Sequence, residues 1–257
     1  MAILSVKNIQ KQFGALFALD DVSVDFHEGE VVALLGDNGA GKSTLIKVIS
    51  GTYVPDGGEI VLGGQSVKFD NPRAALDAGI QTVFQDLALC DNLDVVDNLY
   101  LGRELRRSLV PGISFFDRRL MRENTGRLLK ELAVDLPSVD AKVKDLSGGQ
   151  RQSVAIAKAV NSKCQVIIMD EPTAALGVAQ TRKVLALVKE LKARGMCVIY
   201  ITHNMHDVME VCDRCVVMKN GRKVGEVATN SISKEALANV IITGDMDRYR
   251  QAPTAVQ

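Results

Sequence analysis

Apolar and polar positions recur along this chain with two different periods, and the switches between them mark out its elements. Apolar runs bounded by turn residues at 3–9, 22–26 and 31–35 read as strands. Residues 42–50 change to helical spacing and stop at Gly51, where a glycine closes a helix. Pro55-Asp56-Gly57-Gly58 and Gly63-Gly64 turn the chain on either side of a strand at 59–62. A short helix at 72–78 leads through Gly79 into a strand at 80–84. From Asn92 to about Lys130, with Val95, Val96, Leu99 and Tyr100 at helix spacing, the pattern predicts helix, broken once at Val110-Pro111-Gly112. Another helix is expected over 146–160, with its start signal at Ser147. Strands at 165–169, 197–202 and 215–218 then alternate with helices at 180–194 and 206–212. That alternation predicts a parallel sheet with helices on both faces. Ser233 is the expected N-cap of a last helix ending near Gly244, and the tail from Asp245 has no period.

Composition narrows the class. With 47% apolar and 24% charged residues, the 257-residue chain is expected to fold as a globular protein and not as a fibre or disordered polymer. Its 31 basic and 31 acidic residues cancel, so no global positive field gathers nucleic acid or anionic lipid. No apolar stretch approaches the roughly 20 residues of a membrane span, and a soluble, intracellular protein is expected. Five scattered cysteines suit a reducing compartment. Cys212 and Cys215 form a C-x-x-C without a second pair and read as small apolar residues, not a metal site. Residues 103–130 carry eight Lys/Arg against three acids, which reads as a solvated basic helix face or, alternatively, a docking surface for an acidic partner element.

Candidate chemistry begins at Gly36-Asp37-Asn38-Gly39-Ala40-Gly41-Lys42-Ser43, followed by Thr44, between an apolar strand and a helix. It fits G-x-x-x-x-G-K-[ST], whose glycines let backbone N–H groups wrap a phosphate at a helix start. Lys42 would reach the β- and γ-phosphates of a nucleotide, and the Ser43 hydroxyl would ligate Mg²⁺. An acid is then needed for the metal, and the run Val166-Ile167-Ile168-Met169 delivers Asp170 at a strand end, with Glu171 next to it as a candidate base for water. Leu146-Ser147-Gly148-Gly149-Gln150 is a second helix start with a Ser cap and two glycines, hence a second anion site. Two phosphate-type sites with one P-loop are reconciled if Ser147 of one copy closes over the nucleotide held by Lys42 of another.

The P-loop, the LSGGQ signature and the Asp-Glu pair, in this order, resemble the ATP-binding subunits of ABC transporters from Met1 to about Gly244. The resemblance implies an α/β fold: a RecA-like P-loop NTPase core, about 1–85 and 161–244, with an antiparallel β subdomain and an inserted helical signature subdomain at about 86–160. Residues 245–257 would be a tail. It implies ATP and Mg²⁺ as ligands, and a homodimer holding two ATP molecules head to tail. Gln85 looks like the family's Q-loop glutamine near Mg²⁺ and the attacking water, and His203 like the switch histidine on the γ-phosphate. Gly36, Gln85, Asp170 and His203 all follow apolar strands, where open α/β sheets bind ligands. Phe13 sits where the family stacks an aromatic ring on adenine, and packing against the β subdomain is the alternative. The loop after Glu171 departs from the pattern: it ends in Gly177 where most members have Asp, which puts the coupling of the two sites in doubt.

Softer stretches, Asn71-Pro72-Arg73-Ala74-Ala75, Gly79-Ile80-Gln81-Thr82-Val83, residues 93–104 and Thr202-His203-Asn204-Met205, resemble the ATPases of bacterial ribose-, xylose- and fructose-type importers, in their single-cassette form. The expected partners are then a transmembrane sugar permease and, indirectly, a periplasmic or extracellular sugar-binding protein, with the chain peripheral on the inner membrane face. An exporter or lipid-transport subunit, or a soluble ABC ATPase, is the alternative. A regulatory module without turnover is disfavoured by Glu171 and His203.

Overall fold

The computed structural model describes residues 2–110, 113–161 and 164–246 of the chain. Its N-terminal strands are longer than the apolar runs predicted. β1 (Ala2–Phe13) and β2 (Leu16–His27) form an antiparallel hairpin. Irregular register absorbs Asn8 and Asp21, both at positive φ. β4 (Gly57–Leu62) and β5 (Gln65–Val67) complete an antiparallel sheet of order β2-β1-β4-β5.

The second sheet holds the remaining long strands. β3 (Val31–Leu35), β6 (Ile80–Val83), β9 (Val166–Asp170), β10 (Cys197–Ile201) and β11 (Arg214–Lys219) run parallel, and β12 (Arg222–Ala228) pairs antiparallel at the edge. The order is β12-β11-β3-β10-β9-β6. β3 is buried throughout because both faces of the sheet are covered, as a parallel sheet requires. Val32 and Leu34 face α1 (Lys42–Ile49), α2 (Pro72–Asp77) and the antiparallel sheet. Val31, Ala33 and Leu35 face the other helices. These are α3 (Val95–Tyr100), α4 (Arg118–Glu131), α5 (Gly148–Asn161), α6 (Val178–Ala193), α7 (Met205–Val211) and α8 (Lys234–Thr243). Cys212 and Cys215 are buried free thiols in this second core, in keeping with their apolar reading. No helix among the described residues is long and apolar enough to cross a membrane.

One expectation is corrected. The segment 92–130 is not continuous helix: α3 stops at Leu101, whose extended ψ of 118° ends the turn, and Gly102 follows at positive φ. An antiparallel hairpin of β7 (Arg106–Val110) and β8 (Ile113–Phe116) then intervenes, with Arg106 opposite Phe116 and Arg107 opposite Phe115. Residues 111–112 of the expected break, and the tail beyond Met246, lie outside the described residues. The basic residues there are split: Arg118, Arg119, Arg122, Arg127 and Lys130 are exposed on α4, whereas Arg106 and Arg107 lie on β7 and Arg103 precedes it. Arg103 pairs with Asp77, Arg118 with Asp94 and Asp97, Arg119 with Glu123 and Arg122 with Asp140. The edge strand β12 went unpredicted, since Lys223 and Glu226 interrupt its apolar alternation.

Candidate functional site

The loop between β3 and α1 is shaped by close backbone approach. Gly36 holds φ +150°, and a Cβ there would lie 2.3 Å from the Met218 carbonyl oxygen. Gly41 holds φ +100°, with the Ala18 carbonyl oxygen 2.7 Å from its Cβ position. Larger residues would push the loop off β2 and β11. The loop closes on itself through Ala40 N–H to the Asp37 carbonyl at 3.1 Å, and Gly221 N–H ties it to the β11–β12 turn at Ala40 O, also 3.1 Å. Lys42 is 8% exposed, and its ammonium donates to the Gly36 and Asp37 carbonyls at 2.7 and 3.0 Å. Burial lowers its pKa from the ordinary lysine value, opposed by the charges of Glu171, Asp37 and Asp170.

The acidic pair sits across from this loop. Asp170 ends β9, and burial raises its pKa above the usual carboxylate value against the opposing pull of Lys42, His203 and Lys47. Glu171 is left-handed at φ +50°, a strained conformation for a non-glycine residue, held by its N–H donating to the Ile201 carbonyl at 2.9 Å. Its Oε1 is buried without a hydrogen-bond partner, although His203 Nε2 stands 3.3 Å away. That oxygen is closed to solvent, while Glu171 as a whole keeps 19% of its side chain exposed and lines the cleft.

Most of the expected residues converge. One cleft of about 750 Å³ is lined by Phe13, Asn38, Gly39, Ala40, Gly41, Lys42, Ser43, Thr44, Gln85, Asp170, Glu171 and His203. Gly36 and Asp37 form the base of its loop through the carbonyls that Lys42 holds. The signature residues do not join them. Ser147, Gly149 and Gln150 line a smaller cavity against α6, and Gly148 lines a groove shared with Gln85 and Glu171. Ser147 is exposed and forms a capping box: its hydroxyl accepts the Gln150 N–H at 3.3 Å while Gln150 Oε1 accepts the Ser147 N–H at 3.0 Å.

Other residues at the cleft escaped prediction. Leu16, Phe17 and Asn220 line it, and Tyr53 meets Phe13 edge-on with ring centroids 5.3 Å apart. Phe13 thus packs against a neighbouring ring while 44% of it stays exposed at the cleft. The apolar run Leu16-Phe17-Ala18-Leu19 is compatible with a strand, but nothing local says that it returns beside the P-loop.

The oxygen donors Ser43, Gln85 and Asp170 on this cleft are hard ligands and few, which fits Mg²⁺ sharing its shell with phosphates and water. Among the described residues no cluster of three or more His, Cys, Asp or Glu side chains forms a self-sufficient metal site.

Residues 19–174 match the family model described as ABC transporter. The chain belongs to the ABC transporter family. The cassette is 44% identical over 239 residues to the xylose/arabinose import ATP-binding protein XylG of Sulfolobus acidocaldarius, covering 93% of each chain. It is 44% identical over 225 residues to the fructose import ATP-binding protein FrcA of Rhizobium meliloti, covering 86% of each. Its fold matches the ADP conformation of an ATP-binding cassette of an ABC transporter with a TM-score of 0.78 at 30% identity, over 98% of this chain and 100% of that one. A dimeric post-hydrolysis state of another ATP-binding cassette, bound to ADP and Pi, matches with a TM-score of 0.71 at 27% identity, over 88% of this chain and 98% of that one. The predicted P-loop α/β architecture with its antiparallel sheet is thus the observed one.

Proposed function

We propose that this cassette hydrolyses ATP to drive import of a monosaccharide, working as a homodimer beneath a transmembrane permease. The observation that carries the reading is the convergence of Lys42, Ser43, Gln85, Asp170, Glu171 and His203 on one cleft. Lys42, freed from its own loop carbonyls, binds the β- and γ-phosphates, and the loop N–H groups from Gly39 to Thr44 cradle them. Ser43, Asp170 and Gln85 would hold Mg²⁺, which supplies charge neutralisation on the phosphates when bound. Glu171 accepts the proton of the attacking water, and His203 contacts the γ-phosphate from the far side. Phe13 stacks on the adenine. Ser147, Gly148, Gly149 and Gln150 present a helix N-terminus and a hydroxyl to the nucleotide of the partner copy, a reading supported by their not lining the cleft that holds Lys42.

In domain terms, 1–244 acts as one ATPase unit, with 86–160 as the signature-bearing part. The sugar reading rests on the similarity to xylose/arabinose and fructose import proteins. The sugar itself would be selected by the permease and by a binding protein outside the membrane. The cassette would then lie on the inner membrane face through that permease.

The test is phosphate release by the purified chain, alone and with its co-expressed permease. Wild type is expected to release phosphate steadily, Lys42→Ala to lose it, and xylose, arabinose or fructose to stimulate the complex. A Lys42→Ala protein with normal release would overturn the ATPase reading. A complex stimulated by none of these sugars, but by a lipid or a drug-like solute, would overturn the sugar reading.

A further inference from the structure

Behind the cleft a carboxylate that the chemistry above does not use is sealed from solvent. Asp207 is 1% exposed and lies in the first turn of α7. Its Oδ2 accepts the Thr173 hydroxyl at 2.5 Å and the Tyr200 hydroxyl at 3.4 Å, and both donors are themselves buried. Buried polar clusters of this kind are costly unless satisfied, and rigid once they are.

The segments it joins are those that carry Glu171 and His203. Thr173 lies two residues past Glu171, in a tight turn where the Ala174 N–H donates to the Glu171 carbonyl and the Leu176 N–H to the Thr173 carbonyl. Asp207 lies four residues past His203, on a helix capped by Asn204, whose side chain accepts the His206 N–H. The Asn204 N–H in turn donates to Thr202 Oγ1 at 3.0 Å. The two segments are also tied at their bases by the Glu171 N–H to Ile201 carbonyl bond. Between that tie and the Thr173–Asp207 bond, Glu171 Oε1 and His203 Nε2 face each other at 3.3 Å. The loop continues through Ala174 and Ala175 to Gly177, which offers no side chain as N-cap of α6. The side-chain hydrogen bond that joins this loop to α7 is the buried one between Thr173 and Asp207.

We propose that Asp207 is a positioning residue for hydrolysis: through Thr173 it clamps the Glu171 loop to the His203 helix, so that the two move as one unit. A displacement of His203 by the γ-phosphate would then reset Glu171 and carry on into residues 174–177. This rests on the ATPase reading above.

The Thr173→Ser and Thr173→Val pair tests it, with Asp207→Asn beside them. Serine keeps the hydroxyl, whereas valine keeps the shape and removes it. Thr173→Val and Asp207→Asn are expected to lower kcat for phosphate release at least about tenfold while the KM for ATP stays within about twofold, and Thr173→Ser to restore most of kcat. In a Glu171→Gln background, Thr173→Val should lower the residual rate no further, because the clamp acts through Glu171. Should Asp207→Asn fail to fold, the threonine pair still decides. Equal kcat for Thr173→Val and Thr173→Ser overturns the proposal, as does an undiminished valine effect in the Glu171→Gln background. A wild type that releases no phosphate, or a Glu171→Gln variant at the wild-type rate, would remove the ATPase reading itself. An impaired Glu171→Gln beside an unimpaired Thr173→Val would remove the clamp alone.

Discussion

Asp170 carries its charge at a cost to the fold. Burial raises its folded pKa above the unfolded carboxylate value, even with Lys42, His203 and Lys47 nearby. A carboxyl raised in this way contributes stability that is complete below the unfolded pKa and lost as pH rises through the folded pKa. At neutral pH the ionised group is therefore a burden, of the kind active sites hold in exchange for function. Asp170→Asn is expected to raise the thermal midpoint of the nucleotide-free protein at pH 7, with the gain shrinking as pH falls toward 4, and to abolish phosphate release. Thermal melts across that pH range check the first half. A lowered midpoint at pH 7 would mean that attraction to Lys42 outweighs desolvation. Lys42 has the mirror problem, since burial disfavours its charge too, and the two groups face one another across the same cleft.

The helix starts show which elements a sequence declares. Asn71, Ser147 and Ser233 each sit before an apolar-periodic run, and each side chain accepts the N–H three residues on. Such signals are local, so α2, α5 and α8 were legible in residues 72–78, in 146–160 and from Ser233 to Gly244. The β7–β8 hairpin and β12 were not: their strands alternate weakly, and pairing partners rather than local pattern make them strands. The caps also make predictions. Ser147→Ala removes the hydroxyl half of the α5 box and should cost about 1 kcal/mol, or roughly 2–4 °C in a protein of this size. Gly177→Asp gives α6 the side-chain cap it lacks and should gain a few tenths of a kcal/mol. Gln180 Oε1, 2.7 Å from the new Cβ position, must swing aside first, which a flexible amide can do. Melting curves of both variants decide, and an unstable Gly177→Asp would mean that Gln180 is held where it is.

At the scale of the whole molecule, the candidate site was legible because its parts are strand-end residues, and a parallel sheet gathers strand ends on one edge. Gln85 and His203 follow β6 and β10, Asp170 ends β9, and their meeting with the P-loop needed only the sheet to form. The rim supplied by Leu16, Phe17 and Asn220 depends on how a second sheet packs on the first, which no local pattern encodes. Ser147 and Lys42 line different cavities, as a site shared between two copies would require, and Glu171→Gln tests such sharing. The substitution keeps size and most hydrogen bonding and removes the proposed base, a loss that typically costs about 10²–10⁴-fold in rate, or about 3–5 kcal/mol of barrier. Binding should persist, because Lys42, Ser43 and the α1 N-terminus are untouched. Uncleaved ATP would then join two copies through Lys42 of one and Ser147 of the other. On a sizing column Glu171→Gln is expected to shift to a dimer with ATP and to a monomer with ADP, whereas wild type shifts weakly because hydrolysis keeps discharging the sandwich. Adding Ser147→Arg should abolish the shift while leaving ATP binding by the monomer nearly intact, since in a shared site the bulky cation would stand in the partner's nucleotide pocket. If Ser147→Arg instead destroyed monomer binding, the signature would be serving its own P-loop. If Glu171→Gln proved inactive yet monomeric with ATP, the base assignment would stand and the shared site would fall, with Gly177 the first position to change.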